Sequence, residues 1–174
     1  METIQSINLR KSTRSYKEHQ ISDEILDKII CAGEKAPVAS GKYDEMLITV
    51  IQDKEILDEI SNKVIELIFN ITKVKRDRNF IAPTLIIVSA KAQKVVGVEY
   101  ANAGCILENM VLAATDLGVD SLLWAGACSI ISKDNNLKNK LKIPDDFNPV
   151  LCGSFGYSTI KENPKEHKIQ INKI

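Results

Sequence analysis

The chain has 174 residues, 44% of them apolar and 26% charged, the values of an ordinary globular protein, and the length predicts a single domain spanning residues 1–174. Lysine plus arginine and aspartate plus glutamate both total 23. With no net field, composition points to neither nucleic acid nor an anionic membrane surface as partner, so any anion site has to be local. The opening METIQSINLRKSTRSY lacks the apolar run of an export signal, and no stretch reaches the roughly 18 apolar residues of a membrane span. A cytoplasmic protein is the expectation.

In chain order, residues 2–9 set Ile4, Ile7 and Leu9 on one short helical face, which the polar run Arg10-Lys11-Ser12-Thr13-Arg14-Ser15 interrupts. Ser22, backed by Asp23 and Glu24, is an N-cap, with Ile21 and Leu26 at hydrophobic-staple positions. Ile25, Leu26, Ile29 and Ile30 form the apolar face of that helix, and Pro37 stops it. Met46 to Ile51 is a β-branched strand, after which Asp53 caps a helix carrying Ile56, Leu57, Ile60, Val64 and Leu67. The basic stretch Lys73 to Arg78 is its solvated end or a loop.

Pro83 to Ser89 is nearly all apolar without alternation, which predicts a strand buried on both faces. The longest helix is predicted from about Glu99 to Leu117: Ala103, Ile106, Leu107, Met110, Val111 and Ala114 cover a wide face, and Gly118 is its stop. A strand over Ser121 to Ala127, a short helix capped by Ser132 and running to Leu141, a strand over Pro149 to Phe155 and a polar tail from Lys161 complete the chain. Strands and helices interleave without a regular βαβ rhythm. The pattern predicts an α+β fold, a mixed, mostly antiparallel sheet packed by helices around a central buried helix.

Cys31, Cys105, Cys128 and Cys152 stand apart in apolar surroundings, with no C-x-x-C or Cys/His ligand spacing, and His19 and His167 are the two imidazoles. Four reduced, buried thiols are expected, and no metal site. No G-x-G-x-x-G follows a strand, no P-loop occurs, and Gly153-Ser-Phe-Gly156 lacks the spacing of a nucleophile elbow. What remains is Arg10 to Arg14, where two guanidiniums, an ammonium and two hydroxyls can supply charge-assisted donors to a phosphate. In an extended segment alternate side chains share one side. A solvated basic loop is the plain alternative.

Arg10-Lys-Ser-Thr-Arg14-Ser-Tyr16 resembles the R-R-S-x-R-x-F opening of the nitroreductase family, with tyrosine closing it. Further segments are similar in the same order: Ile25 to Ile30 with Ala36-Pro37; Phe80-Ile-Ala-Pro-Thr-Leu-Ile-Ile-Val88; Asn102-Ala-Gly104-Cys-Ile-Leu-Glu108-Asn109-Met110; and Leu117-Gly118 with Trp124-Ala125-Gly126. The resemblance implies a nitroreductase-like, domain-exchanged homodimer that binds FMN at the subunit interface. It implies electrons from NADH or NADPH, passed through the flavin in alternating half-reactions to a nitroaromatic, quinone or similar small electrophile.

Residue by residue, the likeness implies that Arg10 and Ser12 lie near the FMN phosphate and ribityl chain and Arg14 near the pyrimidine edge of the ring, with Lys11 also among the cofactor-binding residues. Leu123, Trp124, Ala125 and Gly126 match the stretch whose backbone passes the ring, although a buried strand with a glycine bulge is the packing alternative. Lys165, with His167 where relatives have a second arginine, matches the basic pair that reaches the phosphate. The loop Pro37, Val38, Ser40 and Lys42 takes the place of the family's A-P-S-x-x-N segment but departs from it, with Gly41 at the asparagine position. No side chain stands out as a catalytic acid or base. Two other functions stay open on this fold: a flavin-binding protein without turnover, and a specialised branch such as dehalogenation or flavin fragmentation.

Overall fold

The computed structural model describes residues 2–75, 80–160 and 163–174. Helices α1 (Thr3–Leu9) and α2 (Asp23–Glu34) precede strand β1 (Met46–Ile51), helix α3 (Lys54–Thr72) and strand β2 (Thr84–Lys91). Helix α4 (Val98–Asp116), strand β3 (Asp120–Trp124), helices α5 (Gly126–Ile131) and α6 (Asn135–Lys140), and strand β4 (Phe147–Gly156) follow.

Local chemistry sets the helix starts. The Ser22 hydroxyl accepts the N–H of Ile25 at 3.4 Å, and the staple residues Ile21 and Leu26 are both buried. The Asp53 carboxylate accepts from Ile56 at 3.0 Å to begin α3, which ends where Lys73 turns left-handed at φ 57°. Positions 76–78 of the basic stretch lie outside the described residues. Gly118, at φ 74°, ends α4 as expected, because a left-handed turn suits a residue without Cβ.

The sheet order is β1-β2-β4-β3, and each ladder is antiparallel. This corrects the expected mixed sheet. Strands buried on both faces have the same apolar composition in either direction, so the sequence pattern could not tell them apart. Among the described residues the parallel contact is an isolated bridge between Ser12 and Ser121.

Alternate residues of β2 serve two cores. Ile86 and Val88 pack with Leu26, Ile29, Leu107 and Met110 beneath α2 and α4, whereas Leu85 and Ile87 pack with Ile60, Val64, Ile131 and Leu137 beneath α3, α5 and α6. Helix α4 buries the wide face predicted for it, and its other side, with Tyr100 62% exposed, is open in the single chain. No helix among the described residues is long and apolar enough to cross a membrane.

Two boundaries differ from the sequence reading. The apolar run Ser121 to Ala127 is a strand only to Trp124; Ala125 leaves extended geometry at ψ −2°, and Gly126 opens α5 instead of forming a strand bulge. Ser132 closes α5, its hydroxyl donating to the Cys128 carbonyl at 2.7 Å, and Asp134 caps α6 by accepting from Leu137 at 3.0 Å. Both errors have one cause: a short buried helix and a buried strand have the same composition over six residues.

The cysteines divide into two pairs. Cys128 and Cys152 are buried, but Cys31 on α2 and Cys105 on α4 are exposed, against the expectation of four buried thiols. Burial, followed by its hydrogen bond with the Cys128 side chain, pushes the Cys152 thiol above its usual range, and both inner thiols are shielded from reagents by the core around them. A thiol reagent such as DTNB should therefore label at most two cysteines in the native protein and all four after denaturation. Native labelling of three or four would contradict this packing.

Candidate functional site

The basic loop is fixed to the sheet through one carboxylate. Asp120, first residue of β3, pairs with the Lys11 ammonium at 3.1 Å, accepts from the Thr13 hydroxyl at 3.3 Å and accepts from the Ser158 N–H at 2.9 Å. The Thr13 N–H adds a backbone bond to the Ser121 carbonyl at 2.9 Å. Lys11 and Thr13 thus face the strand, and the period-two alternation leaves Arg10, Ser12 and Arg14 as the outward set. Among the described residues neither Arg10 nor Arg14 enters an ion pair. The Arg14 guanidinium donates to the Ser12 carbonyl at 3.1 Å and lies 5.9 Å from the centre of the Phe80 ring.

Tyr16 closes the loop, its hydroxyl donating to the Thr13 carbonyl at 2.8 Å. Burial, reinforced by the Asp120 carboxylate and opposed by Arg14, pushes this phenol above its ordinary range, so it remains a donor at all working pH values.

Beside the loop, Phe80 meets the Trp124 indole edge to face at 6.2 Å between ring centres. The indole N–H donates to the Ser154 hydroxyl at 3.0 Å, and that hydroxyl donates to the Phe80 carbonyl at 2.5 Å. A Cβ on Gly126 would stand 2.9 Å from the Trp124 ring, so the glycine is needed for this packing. As the first residue of α5, Gly126 has an N–H without an intrahelical acceptor, and the neighbouring Ala125 is exposed.

A cleft of about 330 Å³ joins Lys11, Gly118, Asp120 and Ser121 to Asn163 and Pro164 of the tail. The tail therefore starts against the basic loop, and Lys165 and His167 follow on its exposed part. The remaining candidates lie elsewhere. Val38 is buried in the α2 and α4 core, Ala39 donates to the Asn102 side chain at 3.0 Å near the start of α4, and Ser40 and Lys42 are exposed. From Asn102 to Asp116 is about 21 Å of helix at 1.5 Å per residue. Trp124 and Val38 moreover belong to different cores, on opposite faces of the sheet. One chain thus brings together Arg10 to Arg14, Leu123 to Gly126 and the tail, and keeps Pro37 to Lys42 apart from them.

A model of the Nitroreductase family matches residues 7–157. The chain belongs to the nitroreductase family. A nitroreductase from Desulfitobacterium hafniense, crystallised with bound FMN, superposes with a TM-score of 0.85 at 20% identity, covering 99% of this chain and 100% of that one. The FMN-bound nitroreductase of Bacteroides fragilis gives 0.81 at 25% identity over 100% and 97% of the two chains. An Archaeoglobus fulgidus protein, provisionally named NADH dehydrogenase/NAD(P)H nitroreductase, is 29% identical over 96% of this chain and 88% of its own.

Sequence reasoning overlooked two residues of this nitroreductase-family chain. Asp120 carries no local motif, and its partners lie 107 and 38 positions away. Phe80 was visible as the start of a family-like strand, but nothing nearby in sequence announced Arg14 as its partner.

Asp120→Ala removes the Lys11 ion pair and the Thr13 hydrogen bond from the loop and the Ser158 hydrogen bond beyond β4, and should lower unfolding stability by about 1–3 kcal/mol. It should also quicken trypsin cleavage after Arg10, Lys11 and Arg14, because the loop loses its anchor. Unchanged proteolysis would show that Asp120 does not hold it.

Proposed function

We propose that this chain is an FMN-dependent oxidoreductase that takes electrons from NADH or NADPH and passes them to nitroaromatics, quinones or similar small electrophiles. One observation carries the reading: the loop of Arg10 and Arg14, neither of which enters an ion pair among the described residues, is bridged to the strand that leads into Gly126, the first residue of α5. The FMN bound to the similar structures and the name of the archaeal relative support it.

The donor set fits the cofactor. Arg10, Ser12, Lys165 and, when protonated, His167 would hold the phosphate and ribityl chain, with Lys11 steadying the loop through Asp120. Arg14 would set a positive charge beside the pyrimidine edge, and Leu123 to Gly126 would supply backbone to the ring. FMN supplies the two-electron chemistry, and the protein contributes position, field and exclusion of water.

The Pro37 to Lys42 loop would reach the site from a second copy, which makes the functional unit a domain-exchanged homodimer. Exposed Ile4, Ile7 and Leu9 on α1 and Tyr100 on α4 are among the exposed apolar residues that such an interface would cover. The single domain 1–174 would work in the cytoplasm, where its four free thiols stay reduced. A flavin binder without turnover is the competing reading, favoured by the altered loop, in which Ser40 and Gly41 both adopt positive φ, 56° and 66°. Stopped-flow mixing with NADH and NADPH separates them: rapid bleaching supports the enzyme, and none with either donor supports the binder.

The protein should purify with non-covalent FMN rather than FAD and scatter light as a dimer. Recovery of FAD alone, no flavin after reconstitution, or an active flavin-loaded monomer would each refute its part of the reading. Arg10→Ala should weaken FMN binding roughly 10- to 100-fold, the worth of a charge-assisted contact, and the more so in salt. Arg14→Ala should retain FMN but lower its reduction potential by roughly 20–45 mV, the equivalent of about 1–2 kcal/mol in a two-electron couple. Normal affinity in the first or an unchanged potential in the second removes the assigned role.

A further inference from the structure

We propose that Phe80 is a positioning residue for Arg14: its ring fixes the guanidinium on the Trp124 side of the sheet, so that the charge is held in one place beside the flavin. The effect on flavin rests on the FMN reading above; the contact itself does not.

Arg14 is exposed, and an exposed arginine side chain normally samples many rotamers. Here two contacts restrict it. Its guanidinium donates to the Ser12 carbonyl at 3.1 Å and approaches the Phe80 ring centre at 5.9 Å, within the range of a cation–π contact. A ring can hold a cation in place only if the ring itself is held, and Phe80 is restrained twice. Its side chain meets Trp124 edge to face at 6.2 Å, and its carbonyl accepts from the buried Ser154 hydroxyl at 2.5 Å. Ser154 also accepts the Trp124 indole N–H at 3.0 Å, so one hydroxyl ties the Trp124 ring and the Phe80 backbone to β4. Trp124 in turn is the last residue of β3, one residue before the Ala125 to Gly126 backbone. The order of dependence therefore runs from the sheet, through Ser154 and Trp124, to Phe80 and finally to Arg14.

Arginine suits this arrangement better than lysine would. A planar guanidinium can present its face to the ring while an edge N–H bonds the Ser12 carbonyl, whereas an ammonium is a point charge without a face. A fixed cation stabilises developing negative charge more effectively than a mobile one, because no reorganisation is needed when the charge appears.

The test has an arm that needs no cofactor. In the full chain, the Arg14 Hε and Hδ proton resonances should be ring-current shifted, lose the shift in Phe80→Leu and keep it in Phe80→Tyr. Unshifted Arg14 resonances in the wild type overturn the proposal whether or not flavin binds. In the FMN-loaded protein, Phe80→Leu should lower the ratio of reduced to oxidised FMN affinity by about two- to fivefold, the worth of an exposed cation–π contact. That ratio corresponds to about 10–20 mV for a two-electron couple.

Phe80→Tyr should restore the potential, and Phe80→Leu should have no further effect on it in an Arg14→Ala background. A further drop there would mean that the ring acts on flavin directly, which overturns the positioning role. Far-UV circular dichroism checks the fold. If Phe80→Leu does not fold, Arg14→Lys at the exposed position takes its place: it should lose the same fraction of the potential, and a wild-type potential overturns the proposal. Absence of FMN from the wild type would sink the functional reading and the predicted potential shift, while the resonance arm still decides whether Phe80 holds Arg14.

Discussion

The Asp120 carboxylate decides how the basic loop can be used. By pairing with Lys11 and accepting from Thr13, it takes the inward-facing donors of the loop out of circulation and leaves Arg10, Ser12 and Arg14 outward. Its other oxygen accepts the Ser158 N–H just beyond β4, so one side chain joins the start of the chain to its last strand. In a protein of zero net charge, a local excess of two guanidiniums on a fixed backbone is the kind of field that composition alone could not reveal. Without the anchor the same residues would form the solvated basic loop that the sequence equally allowed.

The anchor works because β3 is itself well fixed. It lies at the edge of the sheet, paired with β4 from Asp120 to Trp124, and the central strands β2 and β4 are buried by helices on both faces. The break after Trp124 is supported from behind. The Cys152 thiol donates to the Trp124 carbonyl at 2.9 Å, which holds the end of β3 against β4 just before α5 begins. Strand end, exposed turn and helix start are therefore held in one arrangement by contacts that no ligand has to supply. A site prepared in advance loses less entropy when it binds.

How legible all this was in the sequence follows from how local each feature is. The start of α2 could be read because Ser22, Ile21 and Leu26 act within five residues of one another, and α4 could be read because its apolar face repeats over five turns. The break at Ala125 could not, since the run from Ser121 to Ala127 has the composition of either a strand or a buried helix. Exposure of Cys31 and Cys105 was misjudged for a related reason: cysteine is usually buried, and which side of a helix faces solvent depends on neighbours far away in sequence. Asp120 and Phe80 were missed because their partners are distant, and a lone aspartate or phenylalanine has no spacing to recognise. Family likeness pointed to the loop and to Leu123 through Gly126; it could not say that Lys11 was already paired.

Helix α4 relates the two halves of the candidate site. Its C-terminal end adjoins the cleft of Lys11 and Asp120, and its N-terminal part holds Ala39 through Asn102, so a rigid rod separates the basic loop from the altered loop. A buried, continuously hydrogen-bonded helix cannot shorten to bring them together. Flexing of the loops cannot do so either, because Val38 is committed to the core on one face of the sheet and Trp124 to the core on the other. If both loops serve one flavin, they must belong to different chains, and the open side of α4 and the apolar face of α1 are then required surfaces rather than incidental ones. On that reading the departure of Val38 to Glu45 from the family pattern changes what one subunit offers to its partner's cofactor, while each chain keeps its own Arg10, Ser12 and Arg14 unaltered. On the same reading the two loops could diverge independently, since one helix holds them apart within each chain.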